Sequence, residues 1–244
     1  LYTVRSEMAR DVDATLSALA EMGYTEVELA GNHGLSARQM RAALDRAGLT
    51  AVSSHVAVAA LRDGWAPALD DAAALGQSFI GCPWVDPAAH TTVTDYRRLA
   101  DLFNEAGAAA RRAELRFFYH NHAFEFETLV DGAALPYDIL LEECDPGLVE
   151  MELDLFWVTK AGADPIAYFD EHPGRFPLVH VKDMTRGGAM ADVGAGAIDF
   201  AGIFARAARG GGGGIEHYFV EHDNPPSPLD SARASYQYLS RLDF

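Results

Sequence analysis

The segment FFYHNHAFEFE, Phe117–Glu127, sets His120, His122, Glu125 and Glu127 among aromatic residues. Imidazoles and carboxylates are ligand types for a divalent ion and the usual acids and bases of proton transfer. Similar groups recur along the chain. TEVELAG carries Glu28, and AVSSHV ends in His55. VEMELD carries Glu150, Glu152 and Asp154, PLVHVKD carries His180 and Lys182, and HYFVEHD carries Glu221 and Asp223. Residues i and i+2 of a strand face the same side, so each segment, if extended, presents its titratable groups together.

Taken singly, these residues have ordinary structural uses. A strand-end His is most often hydrogen-bonded in place, Glu28 suits a cap or an ion pair, and Glu152 with Lys182 suits an ion pair lining the fold. Phe156 and Trp157 read as core or pocket wall. The recurrence is harder to explain that way, because buried unpaired carboxylates and imidazoles are costly and a divalent cation removes the cost. The ligand set expected is His120, Asp154, His180 and Glu221. Two imidazoles and two carboxylates suit one divalent ion, Mn²⁺ first, with Zn²⁺, Co²⁺, Fe²⁺ or Mg²⁺ compatible. Such a set leaves positions for substrate oxygens.

The elements that must position these groups follow from periodicity. Short apolar runs read as strands at Tyr2–Arg5, Glu26–Ala30, Thr50–His55, Ser78–Cys82, Arg116–His120, Val149–Asp154, Pro177–Lys182 and Ile215–Glu221. Between them lie helical patterns. Val12, Leu16 and Leu19 share a face before Gly23, Ser36 with Gln39 makes a capping box, and Asp164–Pro165 starts a helix. Helices are also expected at Leu135–Glu143, Thr94–Ala113, Asp199–Arg209 and Pro228–Leu242. Strands alternating with helices over 244 residues predict a single (β/α)8 TIM barrel, one domain spanning 1–244. A doubly wound sheet fits less well, since the first strand–helix turn lacks GxGxxG. The run Gly210–Gly214 lacks a following Lys-Ser/Thr and reads as a flexible connection rather than a phosphate loop.

Composition narrows the partners. With 49% hydrophobic residues the chain can bury a sizeable core. A formal charge of −17 disfavours nucleic acid, which needs a basic stripe. Cys82 and Cys144 form no CxxC, which argues against a disulfide framework or a structural zinc site. No apolar run approaches membrane-helix length. The chain reads as cytoplasmic; export is left open because it begins at Leu1, and homo-oligomer formation is left open too.

YHNHAFEFE, MELDLFW, AGADP, HVKDM, VGAGAIDF and FVEHD together resemble the xylose-isomerase-like TIM barrels, also called the sugar phosphate isomerase/epimerase or AP-endonuclease-2 superfamily. The resemblance runs from LYTVR to the last helix. It implies one divalent metal held at strand ends by Glu, Asp, His and Glu. Asp154, His180 and Glu221 match the last three, while His120 stands in place of the first Glu. That departure disfavours a symmetric two-carboxylate epimerase, unless Glu125 or Glu127 substitutes for His120. The three-metal nucleic-acid branch matches less well, because DVGAGAID lacks a His before its glycines and Trp157 stands where a ligand would be. The YHNH motif resembles inosose-dehydratase-like and 3-keto-glycoside-processing members, whose substrates are polyols or oxidised sugars.

The chemistry expected is a metal-dependent isomerase, epimerase or lyase acting through an enediolate on a carbohydrate with a carbonyl next to a carbinol. Glu152, Lys182 and Glu221 are the expected proton-transfer groups, with a lowered Lys182 pKa. Glu28, His55, His122 and Trp157 are the expected substrate contacts. The rival is a non-catalytic sugar- or metal-binding barrel.

Overall fold

The computed structural model describes residues 1–132, 134–208 and 214–243. Gly210–Gly213 of the glycine run, and Arg209 at the end of an expected helix, lie outside them. Among the described residues nine strands run in chain order: β1 Glu26–Leu29, β2 Thr50–Ser54, β3 Phe79–Cys82, β4 Arg116–His120, β5 Val149–Asp154, β6 Leu178–Val181, β7 Asp183–Met184, β8 Met190–Ala191 and β9 His217–Val220. β3-β4-β5-β6-β9 form one parallel sheet and β1-β2 another. A parallel bridge from His55 to Gly81 joins them. β7 and β8 make a short antiparallel hairpin above β6.

The expected first strand, Tyr2–Arg5, is not one. Val4 N–H bonds to Leu1 O and Arg5 N–H to Tyr2 O, so the segment turns and enters a helix at Arg5–Met8. It nonetheless fills the gap between β1 and β9. Leu1 N donates to Glu28 O at 2.6 Å, and His222 N donates to Thr3 Oγ1 at 2.9 Å. Closure there rests on local turns and side chains rather than on a ladder.

Helices pack outside the strands. Their boundaries follow the capping chemistry: Asp11 accepts from Ala14 N, the Ser36/Gln39 box forms, and Gly23 ends its helix at φ 112°. The helix expected at Thr94–Ala113 runs Val93–Arg112, because Thr92 and Asp95 form a capping box one residue earlier. Phe117 and Tyr119 of β4 pack with Phe103 of that helix. None of the described helices is long and apolar enough to cross a membrane.

The barrel interior is layered. Val52, Phe79, Phe118, Leu178 and Phe219 form an apolar plug. Gly81 makes room for it, since a Cβ there would meet the Phe118 ring. Two residues beyond Phe118, Leu178 and Phe219, roughly 6.6–6.8 Å along their strands, the inward positions turn polar as His120, His180 and Glu221. Below the plug, Arg116 closes the opposite end by pairing with Glu150 and Glu216.

Candidate active site

The polar layer begins with a buried square. His55 Nε2 lies 2.9 Å from Glu28 Oε1 and 3.1 Å from Glu152 Oε2. His180 Nε2 lies 2.9 Å from the same Glu28 oxygen and 3.2 Å from Glu152 Oε1. A bulge puts the extra residue Val52 into β2, and Ser53 Oγ then donates to Glu28 Oε2 at 2.7 Å. Burial opposes charge on Glu28, His55 and His180. For His55 the two carboxylates outweigh it and raise the pKa to about 9. For Glu28 the two imidazoles outweigh it and hold the carboxylate well below its usual range.

Above the square stand His120, Asp154, Lys182, Glu221 and Asp223. Asp154 ends β5 and also caps the helix Leu155–Lys160, its Oδ1 accepting from Phe156 N and Trp157 N at 2.9 Å each. Its Oδ2 is thereby turned to His120 Nε2 at 3.2 Å and Lys182 Nζ at 3.0 Å. Asn121 fixes the same strand end by accepting from Asp154 N at 3.0 Å. Lys182 also meets Glu221 Oε1 at 2.6 Å and Asp223 Oδ1 at 3.0 Å. Burial works against the ammonium, but Asp154, Glu221 and Asp223 hold its pKa well above the usual lysine value. The lowered pKa expected from sequence is for Lys182 beside a metal ion; with these carboxylates alone the shift is upward. Burial also opposes the charges of Asp154 and Glu221, yet Lys182 leads the groups that hold both far below the usual carboxylate range.

One ring nitrogen of this layer lacks a partner. His180 Nδ1 is buried without a hydrogen bond, 3.8 Å from Asp154 Oδ2 and 3.7 Å from Glu221 Oε2. His120 Nδ1 faces Pro83 O at 3.1 Å, and a carbonyl only accepts, so Nδ1 carries a proton. His120 Nε2 is then turned to Asp154 Oδ2 at 3.2 Å. Imidazole nitrogens and carboxylates converging in this way fit a divalent cation. His120, Asp154 and His180 have the spacing of ligands, with Glu221 alongside. Glu28, His55, Glu152 and His180 also have ligand spacing, with His55 bonded to Glu152 Oε2 and His180 to Glu28 Oε1.

A cavity of about 420 Å³ opens above these groups, within the usual range for small-ligand sites. His55, His120, His122, Lys182 and Glu221 line it, as does Asp223. His122 sits between Phe124 and Trp157, and burial, then His120 and Lys182, lowers its pKa to about 3. It is thus a neutral imidazole with a buried, unpartnered Nδ1.

Several residues stand apart from their expected roles. Glu28 and Glu152 do not line the cavity; at 4% and 0% exposure they lie beneath it. Glu152 does not pair with Lys182, which turns to Asp223 instead. Glu125, named as a substitute for His120, is fully buried behind β4, where it accepts from Tyr119 Oη at 2.5 Å and His122 N at 2.8 Å. Glu127 is exposed. Sequence reasoning gave no role to Asp223, Asn121 or Ser53; for Asp223 the signal was its shared parity with Glu221.

The family model of the xylose isomerase-like TIM barrel matches residues 16–242. Inosose dehydratase of Geobacillus kaustophilus is 25% identical over 273 residues, covering 94% of this chain and 87% of that one. A sugar phosphate isomerase/epimerase from Parabacteroides distasonis superposes with a TM-score of 0.86 at 26% identity, covering 98% of this chain and 91% of that one. The 3-keto-D-glucoside 4-epimerase of E. coli shares the fold at a TM-score of 0.73 and 15% identity, over 94% of each chain. The chain belongs to the xylose isomerase-like TIM barrel family.

Proposed function

We propose that this protein is a divalent-metal-dependent lyase or isomerase acting on an uncharged sugar or polyol that carries a carbonyl next to a carbinol. The observation that carries the reading is the convergence of His120, Asp154, Glu221 and the unpartnered Nδ1 of His180 under an open cavity. These four residues would hold the ion, for which Mn²⁺ is the first candidate. When bound, the ion supplies positive charge that makes a carbonyl's α-proton more acidic.

The chain's own groups supply the proton steps. Lys182 is held charged at the cavity wall and donates a proton to a departing or developing oxygen. Asp223 is the carboxylate best exposed for taking the α-proton, with its side chain 24% accessible and 3.0 Å from Lys182. We therefore assign the base to Asp223 rather than to Glu152, which has no surface. His122 and His55 offer polar ring edges to substrate hydroxyls, and Trp157 packs behind His122. The charge inventory argues against a phosphorylated substrate. Arg5 spends its terminal nitrogens on Tyr2 O, Asp223 O and Asn224 Oδ1, and Lys182 is shared by three carboxylates. Similarity to an inosose dehydratase favours dehydration, in which a β-hydroxyl departs, over epimerisation.

The test is turnover of Mn²⁺-loaded protein on neutral keto-sugars, keto-polyols, 3-keto-glycosides and their phosphates, followed by NMR in D2O. Deuterium should enter α to the carbonyl of a neutral substrate, a chelator should stop it, and Asp223→Asn should slow it about 10²–10⁴-fold. A folded, ion-loaded protein that exchanges no α-proton anywhere in the panel would instead be a binding barrel.

A further inference from the structure

We infer that Glu28 and Glu152, clamped by His55, are positioning residues that fix the ring and tautomer of His180 for the ion. The inference rests on the reading of His180 as a metal ligand. Glu28 Oε1 and Glu152 Oε1 both face His180 Nε2, at 2.9 and 3.2 Å. The hydrogen bond to Glu28, with the Glu152 carboxylate beside it, puts the proton on Nε2 and leaves the Nδ1 lone pair toward Asp154 and Glu221. A carboxylate behind a metal-binding imidazole also raises its basicity.

The carboxylates cannot swing away, because each is tied at a second point. Ser53 Oγ holds the far oxygen of Glu28 at 2.7 Å, and His55 Nε2 spans Glu28 Oε1 and Glu152 Oε2. All but His55 are below a tenth exposed, and His55 is the one member that also lines the cavity. The square is therefore a rigid floor that aims one ring, built from strands β1, β2, β5 and β6.

Glu28→Gln and Glu152→Gln, prepared metal-free, test this by titration with Co²⁺ against a competing chelator. Both variants keep the shape of the side chain and remove the charge. Cobalt affinity should weaken about 10–100-fold, with a changed visible absorption spectrum. A merely structural role would lower the melting temperature of the metal-free protein and leave the affinity as in the wild type, and that result overturns the inference. If Glu28→Gln does not fold, Glu152→Gln carries the test, supported by Ser53→Ala, which removes only the hydroxyl donor and should weaken Co²⁺ several-fold. Two ions bound per wild-type chain would overturn the inference alone, since the square would then be a site itself. Wild-type protein that takes up no Co²⁺ defeats the metal reading and the inference together.

Discussion

Lys182 is the one buried Lys or Arg among the described residues, and it stands between two of the expected metal ligands and Asp223. Its ammonium and a divalent ion would neutralise the same carboxylates. Lys182→Met should therefore cost the metal-free protein about 3–5 kcal/mol, the usual cost of stripping a buried charge of its partner. Mn²⁺ should restore much of that, because an ion that binds only the folded state adds stability by mass action. Melting curves with and without Mn²⁺ check this: the metal-induced rise should be larger in the variant, and an equal rise would mean that Lys182 and the ion do not share ligands. Residue types and parity singled out His120, Asp154, His180, Lys182 and Glu221, which the fold brings within contact of one another. They did not reveal depth. Glu28 and Glu152 share parity with cavity residues yet lie a layer lower, because facing inward says nothing of how far along the barrel a side chain sits.

At the scale of elements, the parallel strands β1–β6 and β9 were legible because buried parallel strands read as apolar runs bounded by breakers, whereas the two-residue strands β7 and β8 carry no such run. Tyr2–Arg5 was misread because four residues with a β-like composition carry no information on whether their N–H groups bond locally or across. The motif VGAGAIDF was legible only as a resemblance, and the structure gives its physical basis. The Asp183 carboxylate, 1% exposed, accepts from the backbone N–H of Met184, Gly194, Gly196 and Ile198 at 2.7–3.2 Å. A Cβ on Gly196 would collide with that carboxylate. One side chain thus latches residues 184–198 beside the end of β6. Asp183→Ala should release the latch and destabilise the fold by a few kcal/mol, as loss of a buried charged acceptor does. Hydrogen exchange should quicken across 184–198 while β4 and β5 keep their protection. Unchanged exchange in 184–198 would show that the hairpin holds itself.

Over the whole molecule, the formal charge of −17 extends inward. Glu28, Glu125, Glu152, Asp154, Asp183 and Glu221 are all buried. Five of these have a cation, an imidazole or a fan of backbone donors; Glu125 has only the Tyr119 hydroxyl and one backbone N–H. Burial outweighs those two bonds and lifts the Glu125 pKa to about 7, from an ordinary value of 4.5. The consequence is a pH-dependent stability with a definite sign. Between those two values the folded protein holds a proton that the unfolded chain releases, so stability is greatest below about 4.5 as far as this group is concerned and falls as pH rises toward about 7. The slope for one such group approaches ~1.4 kcal/mol per pH unit, and it flattens once both states are ionised. Glu125→Gln copies the neutral form and removes the titration. Wild type and variant melted from pH 5 to 8 should converge at the acid end, and the variant should gain over the wild type by a few kcal/mol toward pH 7. Parallel curves across that range would mean that Glu125 ionises in the folded protein as easily as in the unfolded chain, and that the loop after β4 is not closed by a neutral carboxyl group.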